Sequence, residues 1–124
     1  MRSPLRVSVV LIGHGSKVKG FEAPLKKVAK DLAASGRYRD VLPAYLEIAP
    51  PSIGEAVERC VKRGATRVKL LPYFLLLGAH VTEDLPAIAA QIRKRFKKNA
   101  AIELCPYLGY DPKITAVAEK RLKT

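Results

Sequence analysis

Apolar and polar positions change period several times along the chain. From Leu5 to Ile12 the chain is almost continuously apolar, the pattern of a parallel strand covered on both faces. Phe21, Leu25, Val28, Ala29 and Leu32 then recur at helical spacing, and Gly36 is placed to end that helix. Val41 to Glu47 reads as a second strand. Pro43 within it has no N–H to give to a ladder, which predicts a sheet edge. Ser52-Ile53-Gly54-Glu55 is a capping box, in which the serine hydroxyl and the glutamate each satisfy an orphan backbone N–H at a helix start. Ile53, Ala56, Val57, Cys60 and Val61 form that helix's apolar stripe, closed by Gly64.

Val68 to Leu77 contains a third strand predicted to end near Pro72, with Tyr73 to Leu77 continuing as extended or irregular buried chain and a loop bearing His80 following. Thr82 or Asp84 can cap a third helix, with Pro86 tolerated in its first turn. Leu85, Ile88, Ala89, Ile92 and Phe96 predict its buried face, and Arg93, Lys94, Arg95, Lys97 and Lys98 a solvated one. Ala101 to Cys105 is a fourth strand, and a last helix runs from about Pro112 to Leu122. Strict alternation of strand and helix implies right-handed crossovers and a parallel sheet between helix layers, so we expect one three-layer α/β domain over residues 1–124. With Pro43 at an edge, the most economical strand order is 2-1-3-4. The switch point then lies between strands 1 and 3, which His14 and His80 follow.

Composition narrows the setting. A chain of 124 residues can bury roughly two-thirds of its unfolded surface and needs no disulfide. Cys60 and Cys105 lack CxxC spacing and fall in apolar segments, which predicts buried free thiols and a reducing, cytoplasmic compartment. Met1 to Ile12 carries Arg2 and Arg6 ahead of an apolar stretch but has no small-residue cleavage site, so it reads as a first core strand rather than a signal peptide. The longest apolar stretch is interrupted by Pro72 and Gly78, and no membrane span is expected. Lys and Arg total 23 against 11 Asp and Glu, a net charge of +12 that attracts polyanions. Only 6% of residues are aromatic and no nucleic-acid motif is present, so a small polycarboxylate or phosphate fits better than nucleic acid.

The chain's 2 histidines both sit in glycine-flanked turns, Gly13-His14-Gly15-Ser16 and Gly78-Ala79-His80-Val81. Neutral imidazoles at the carboxyl ends of strands suit a divalent transition metal. Glu47 ends the second strand. Alone it reads as a solvated loop acid, but beside two histidines it becomes a candidate third ligand and proton acceptor, leaving positions open for water or substrate. Ser16 reads as a helix cap or loop hydrogen bond, as a substrate contact, or as a nucleophile lacking the third group of a triad. Lys17 and Lys19 either hold substrate carboxylates at the rim of the site or are simply solvated.

Taken in order, Leu11-Ile12-Gly13-His14-Gly15-Ser16, Tyr45-Leu46-Glu47-Ile48-Ala49 to Pro51-Ser52-Ile53, Gly64-Ala65, Leu71-Pro72-Tyr73-Phe74-Leu75, Gly78 to Pro86 and Pro106-Tyr107-Leu108-Gly109 resemble the small class II tetrapyrrole chelatases. These are the CbiX-type sirohydrochlorin cobaltochelatases and their ferrochelatase relatives. The resemblance implies metal-binding roles for His14, His80 and Glu47, and insertion of Co2+, Fe2+ or Ni2+ into sirohydrochlorin for cobalamin, siroheme or coenzyme F430. It implies no cofactor beyond that substrate metal. It also implies that this chain is one half of a class II chelatase fold and pairs with itself as a homodimer; the apolar Tyr73 to Leu77 segment is then either the contact or part of the core. Pro50 stands where the family often has an acid, and Asp111 where a histidine is common. Two other readings are a non-catalytic metal or tetrapyrrole carrier and a phosphate-ester hydrolase using His14 and Ser16.

Overall fold

The computed structural model of the chain describes residues 6–124. Four strands, β1 (Val7–Gly13), β2 (Val41–Tyr45), β3 (Arg67–Pro72) and β4 (Ala101–Leu104), alternate with four helices, α1 (Ala23–Ala34), α2 (Ile53–Lys62), α3 (Ala79–Arg95) and α4 (Pro112–Leu122). The strands form one parallel sheet in the order β2-β1-β3-β4, the order expected from the edge position of Pro43. Leu5, and with it the start of the expected first strand, lies outside the described residues.

Alternation along β1 divides the core into two layers. Val10 and Ile12 point to the side of α2 and α3, where they meet Val57, Cys60, Val68, Leu70, Leu85 and Ile92. Val9 and Leu11 point the other way, to Leu25 and Ala29 of α1 and to Val41 and Tyr45 of β2. The capping box forms as its spacing predicts, the Glu55 N–H donating to Ser52 Oγ at 3.2 Å and the Ser52 N–H to Glu55 Oε1 at 2.8 Å. Cys60 is fully buried, and burial pushes its thiol up to about 11. Cys105 is half-buried rather than buried.

Three expectations are corrected. β2 stops at Tyr45, two residues short of Glu47. Helix α3 starts at Ala79 behind an extended Gly78, before either Thr82 or Asp84, so His80 lies in the first helical turn and Pro86 well inside the helix. Ser, Thr and Asp are favoured at an N-cap, but glycine is tolerated there. The Thr82 side chain instead donates back to Gly78 O at 2.9 Å. Third, of the segment Tyr73 to Leu77 only Phe74 is buried, and Leu76 is 85% exposed. Helix α4 begins with the Asp111 carboxylate accepting from the Lys113 N–H at 2.9 Å, yet it buries none of its residues.

Pairing continues past the carboxyl ends of the strands. Ile12 O accepts from the Tyr73 N–H at 2.9 Å, Gly13 O from the Leu46 N–H at 3.0 Å and His14 O from the Glu47 N–H at 3.1 Å. The next residue, Gly15, adopts φ +100, and a Cβ there would stand 1.8 Å from the Glu47 carbonyl oxygen. Only glycine satisfies both conditions. Replacing Gly15 by alanine is therefore expected to cost about 2 kcal/mol or more of stability, seen as a lower urea midpoint with an unchanged slope.

Candidate functional site

The first histidine is fixed from below and from the side. Its backbone is the continuation of β1, and its ring packs against Phe74 with centroids 4.6 Å apart and planes inclined by 51°. Phe74 follows β3 and is buried, so it braces the imidazole against the sheet. His14 and Phe74 together border a hollow of about 260 Å3, walled also by Phe21, Tyr45 and Tyr73.

Glu47 is held through its main chain. Besides the bond to His14, the Glu47 carbonyl accepts from the Ala49 N–H at 2.7 Å, across an Ile48 whose φ is +71. A positive φ is an outlier for a β-branched residue and stores strain, a feature that gathers where a neighbouring group must be held in place. His80 comes from the first turn of α3, and Asp84 follows it by one turn on the same helix face.

These four side chains line one open cavity of about 540 Å3 at the carboxyl edge of the sheet, over an apolar floor of Leu46, Val81 and Ile88. The structure thus brings together His14, Glu47 and His80, which are separated in sequence and were expected to converge. All three are exposed. As they stand, no three His, Cys, Asp or Glu side chains among the described residues are gathered closely enough to hold a metal ion.

Ser16, Lys17 and Lys19 do not line this cavity. Ser16 Oγ accepts from the Val18 N–H at 3.0 Å, which is the loop hydrogen bond weighed for it, and both lysines are exposed on the same turn. Pro50 borders a separate hollow at the outer edge of β2, and Asp111 caps α4. Asp84 and Phe74 escaped the sequence reading. For Asp84 the available signal is its spacing of one helical turn from His80, which counts only once the helix begins at Ala79 rather than at Thr82 or Asp84. Among the described residues no helix is long and apolar enough to cross a membrane.

The chain is similar to known proteins over most of its length. It is 35% identical over 88 residues to the sirohydrochlorin ferrochelatase, chloroplastic, of Arabidopsis thaliana, covering 71% of this chain and 39% of that one. Among solved structures, it superposes on the sirohydrochlorin chelatase SirB from Bacillus subtilis subspecies spizizenii, in complex with cobalt, with a TM-score of 0.85 and 27% identity, over 95% of this chain and 50% of that one. A putative cobalamin biosynthesis CbiX protein from Marinobacter aquaeolei VT8 gives a TM-score of 0.80 at 25% identity, with 94% of each chain covered. The chain thus spans half or less of the length of the Arabidopsis and Bacillus proteins. The CbiX family model matches residues 8–124, and with that match extending from β1 to the last residue, the chain belongs to the CbiX family.

Proposed function

We propose that this protein inserts a divalent metal ion, Co2+, Fe2+ or Ni2+, into sirohydrochlorin. The observation that carries the reading is the convergence of His14, Glu47 and His80 on one open cavity in a chain of the CbiX family. Relatives named as sirohydrochlorin cobaltochelatase and sirohydrochlorin ferrochelatase support the substrate class. Metal identity does not follow from imidazole and carboxylate donors, whose affinities rise along the Irving–Williams order whatever the reaction.

Insertion requires the ion to lose water, the macrocycle to bend, and two pyrrole protons to leave. Exposed imidazoles from two different elements lining the cavity can take over coordination as water leaves. Rotation of one side chain then delivers the ion to an incoming ring nitrogen. Glu47 is placed to accept a proton, and its main chain is held because two hydrogen bonds join its turn to the His14 turn and the missing Cβ of Gly15 lets them approach. The substrate's carboxylates meet the long-range field of a chain of net charge +12. Lys17 and Lys19, outside the cavity but on the His14 turn, are our choice for the nearest contacts. The setting in this reading is cytoplasmic and reducing, which the two free thiols support.

The reading includes a homodimer. A broad flat ligand over one sheet edge needs an opposing wall, and Tyr73, Leu75 and Leu76 expose apolar surface beside His14 and Phe74. Exposed apolar patches of this kind mark interaction sites.

Anaerobic assays that follow the sirohydrochlorin spectrum with each metal test the proposal. His14→Ala and His80→Ala are each expected to lower insertion by about a hundredfold with the fold intact, and Glu47→Gln to reduce kcat by a similar factor with little change in tetrapyrrole affinity. Binding without turnover in the unaltered protein would instead mark a carrier. Light scattering should give a dimer that Leu76→Glu dissociates; an active monomer would remove the second copy from the reading. Neutralising Lys17 and Lys19 together should raise the KM for sirohydrochlorin and flatten its salt dependence, since exposed charges are screened over about 10 Å at 0.1 M. Neutralising Lys94 and Lys98 on α3 should do neither.

A further inference from the structure

The chain carries far more cations than anions, so most of its carboxylates find a partner. Asp31, Asp40, Glu58 and Glu103 are in ion pairs with lysine or arginine. Glu55 and Asp111 cap helices. That leaves Glu22, Glu47, Glu83, Asp84 and Glu119 without an ion pair or hydrogen bond to their side chains among the described residues. Two of these five, Glu47 and Asp84, line the histidine cavity, and among the described residues no lysine or arginine lines it.

The two acids are distributed in a definite way. Glu47 stands beside His14, their main chains joined by the 3.1 Å bond from the Glu47 N–H to His14 O. Asp84 stands one helical turn beyond His80, so both side chains leave the same face of α3. Each wall of the cavity therefore offers one imidazole and one carboxylate, the donor types that suit a first-row divalent ion.

We infer that Asp84 is a metal-binding residue of this site, pairing with His80 on the helical wall as Glu47 pairs with His14 on the sheet wall. The inference rests on the metal-insertion reading for its substrate but concerns the ion alone. A site divided into two pairs lets the ion be received on one wall and passed to the other, each pair leaving coordination positions open.

Calorimetric titration of the full chain with Co2+, paired with the visible absorption of the bound ion, tests this without turnover. Asp84→Asn keeps shape and removes charge at an exposed position, and it should weaken Co2+ binding by about tenfold and alter the Co2+ absorption envelope. Glu83→Gln removes the same charge from the adjacent residue, which does not line the cavity, and should change neither. In insertion assays Asp84→Asn should raise the KM for Co2+ while leaving that for sirohydrochlorin unchanged.

Unchanged Co2+ affinity and absorption in Asp84→Asn, alongside loss of binding in His80→Ala, would overturn the role of Asp84 and leave the histidine site standing. An equal loss in Asp84→Asn and Glu83→Gln would also overturn it, reducing the effect to general field. If Co2+ binds through Asp84 but the protein turns nothing over, the insertion reading fails and the inference survives.

Discussion

The site depends on β1 pairing on both sides and continuing to pair after its neighbours have ended. Three successive carbonyls accept hydrogen bonds beyond the strand ends, Ile12 O from the chain after β3 and both Gly13 O and His14 O from the chain after β2. Backbone groups at the end of a buried strand must find partners, and here those partners are the segments that carry the functional side chains. Had β1 been an edge strand, one of those segments would have no fixed register to the His14 turn. The positive φ of Gly15 and its close approach to Glu47 O are consequences of this pairing, as is the turn through Ile48 that returns the chain toward α2.

Much of this arrangement is legible in the residues. Pro43 marks an edge because it cannot donate to a ladder, and that single exclusion led to the strand order found. The capping box at Ser52 forms as its spacing implies, since both of its hydrogen bonds are local. The start of α3 was not legible. Helix initiation at Gly78 uses no side-chain cap, and Pro86 suggested a first turn where the helix is already established. A boundary set by tertiary packing leaves only a weak local trace.

The site was partly legible for the same reason. His14, Glu47 and His80 could be brought together because strand order alone places the ends of β1, β2 and β3 side by side. Asp84 could not, because its position depends on the helical phase from Ala79, and that phase was misplaced. Burial within Tyr73 to Leu77 was also misread. An apolar run after a strand resembles core, whereas this one keeps only Phe74 inside, where its ring supports His14.

The acidic lining of the cavity has a consequence for traffic. Seen from solution, a chain of net charge +12 repels any small cation, and mobile salt weakens that repulsion beyond about 8 Å at physiological ionic strength. Inside the cavity the ion meets Glu47 and Asp84, and among the described residues no lysine or arginine lines it. A polyanion experiences the reverse, drawn from afar and turned away from the two acids at close range. The fold thus sorts two oppositely charged visitors by distance, the larger gathered by the whole surface and the smaller held between the acidic walls of the cavity.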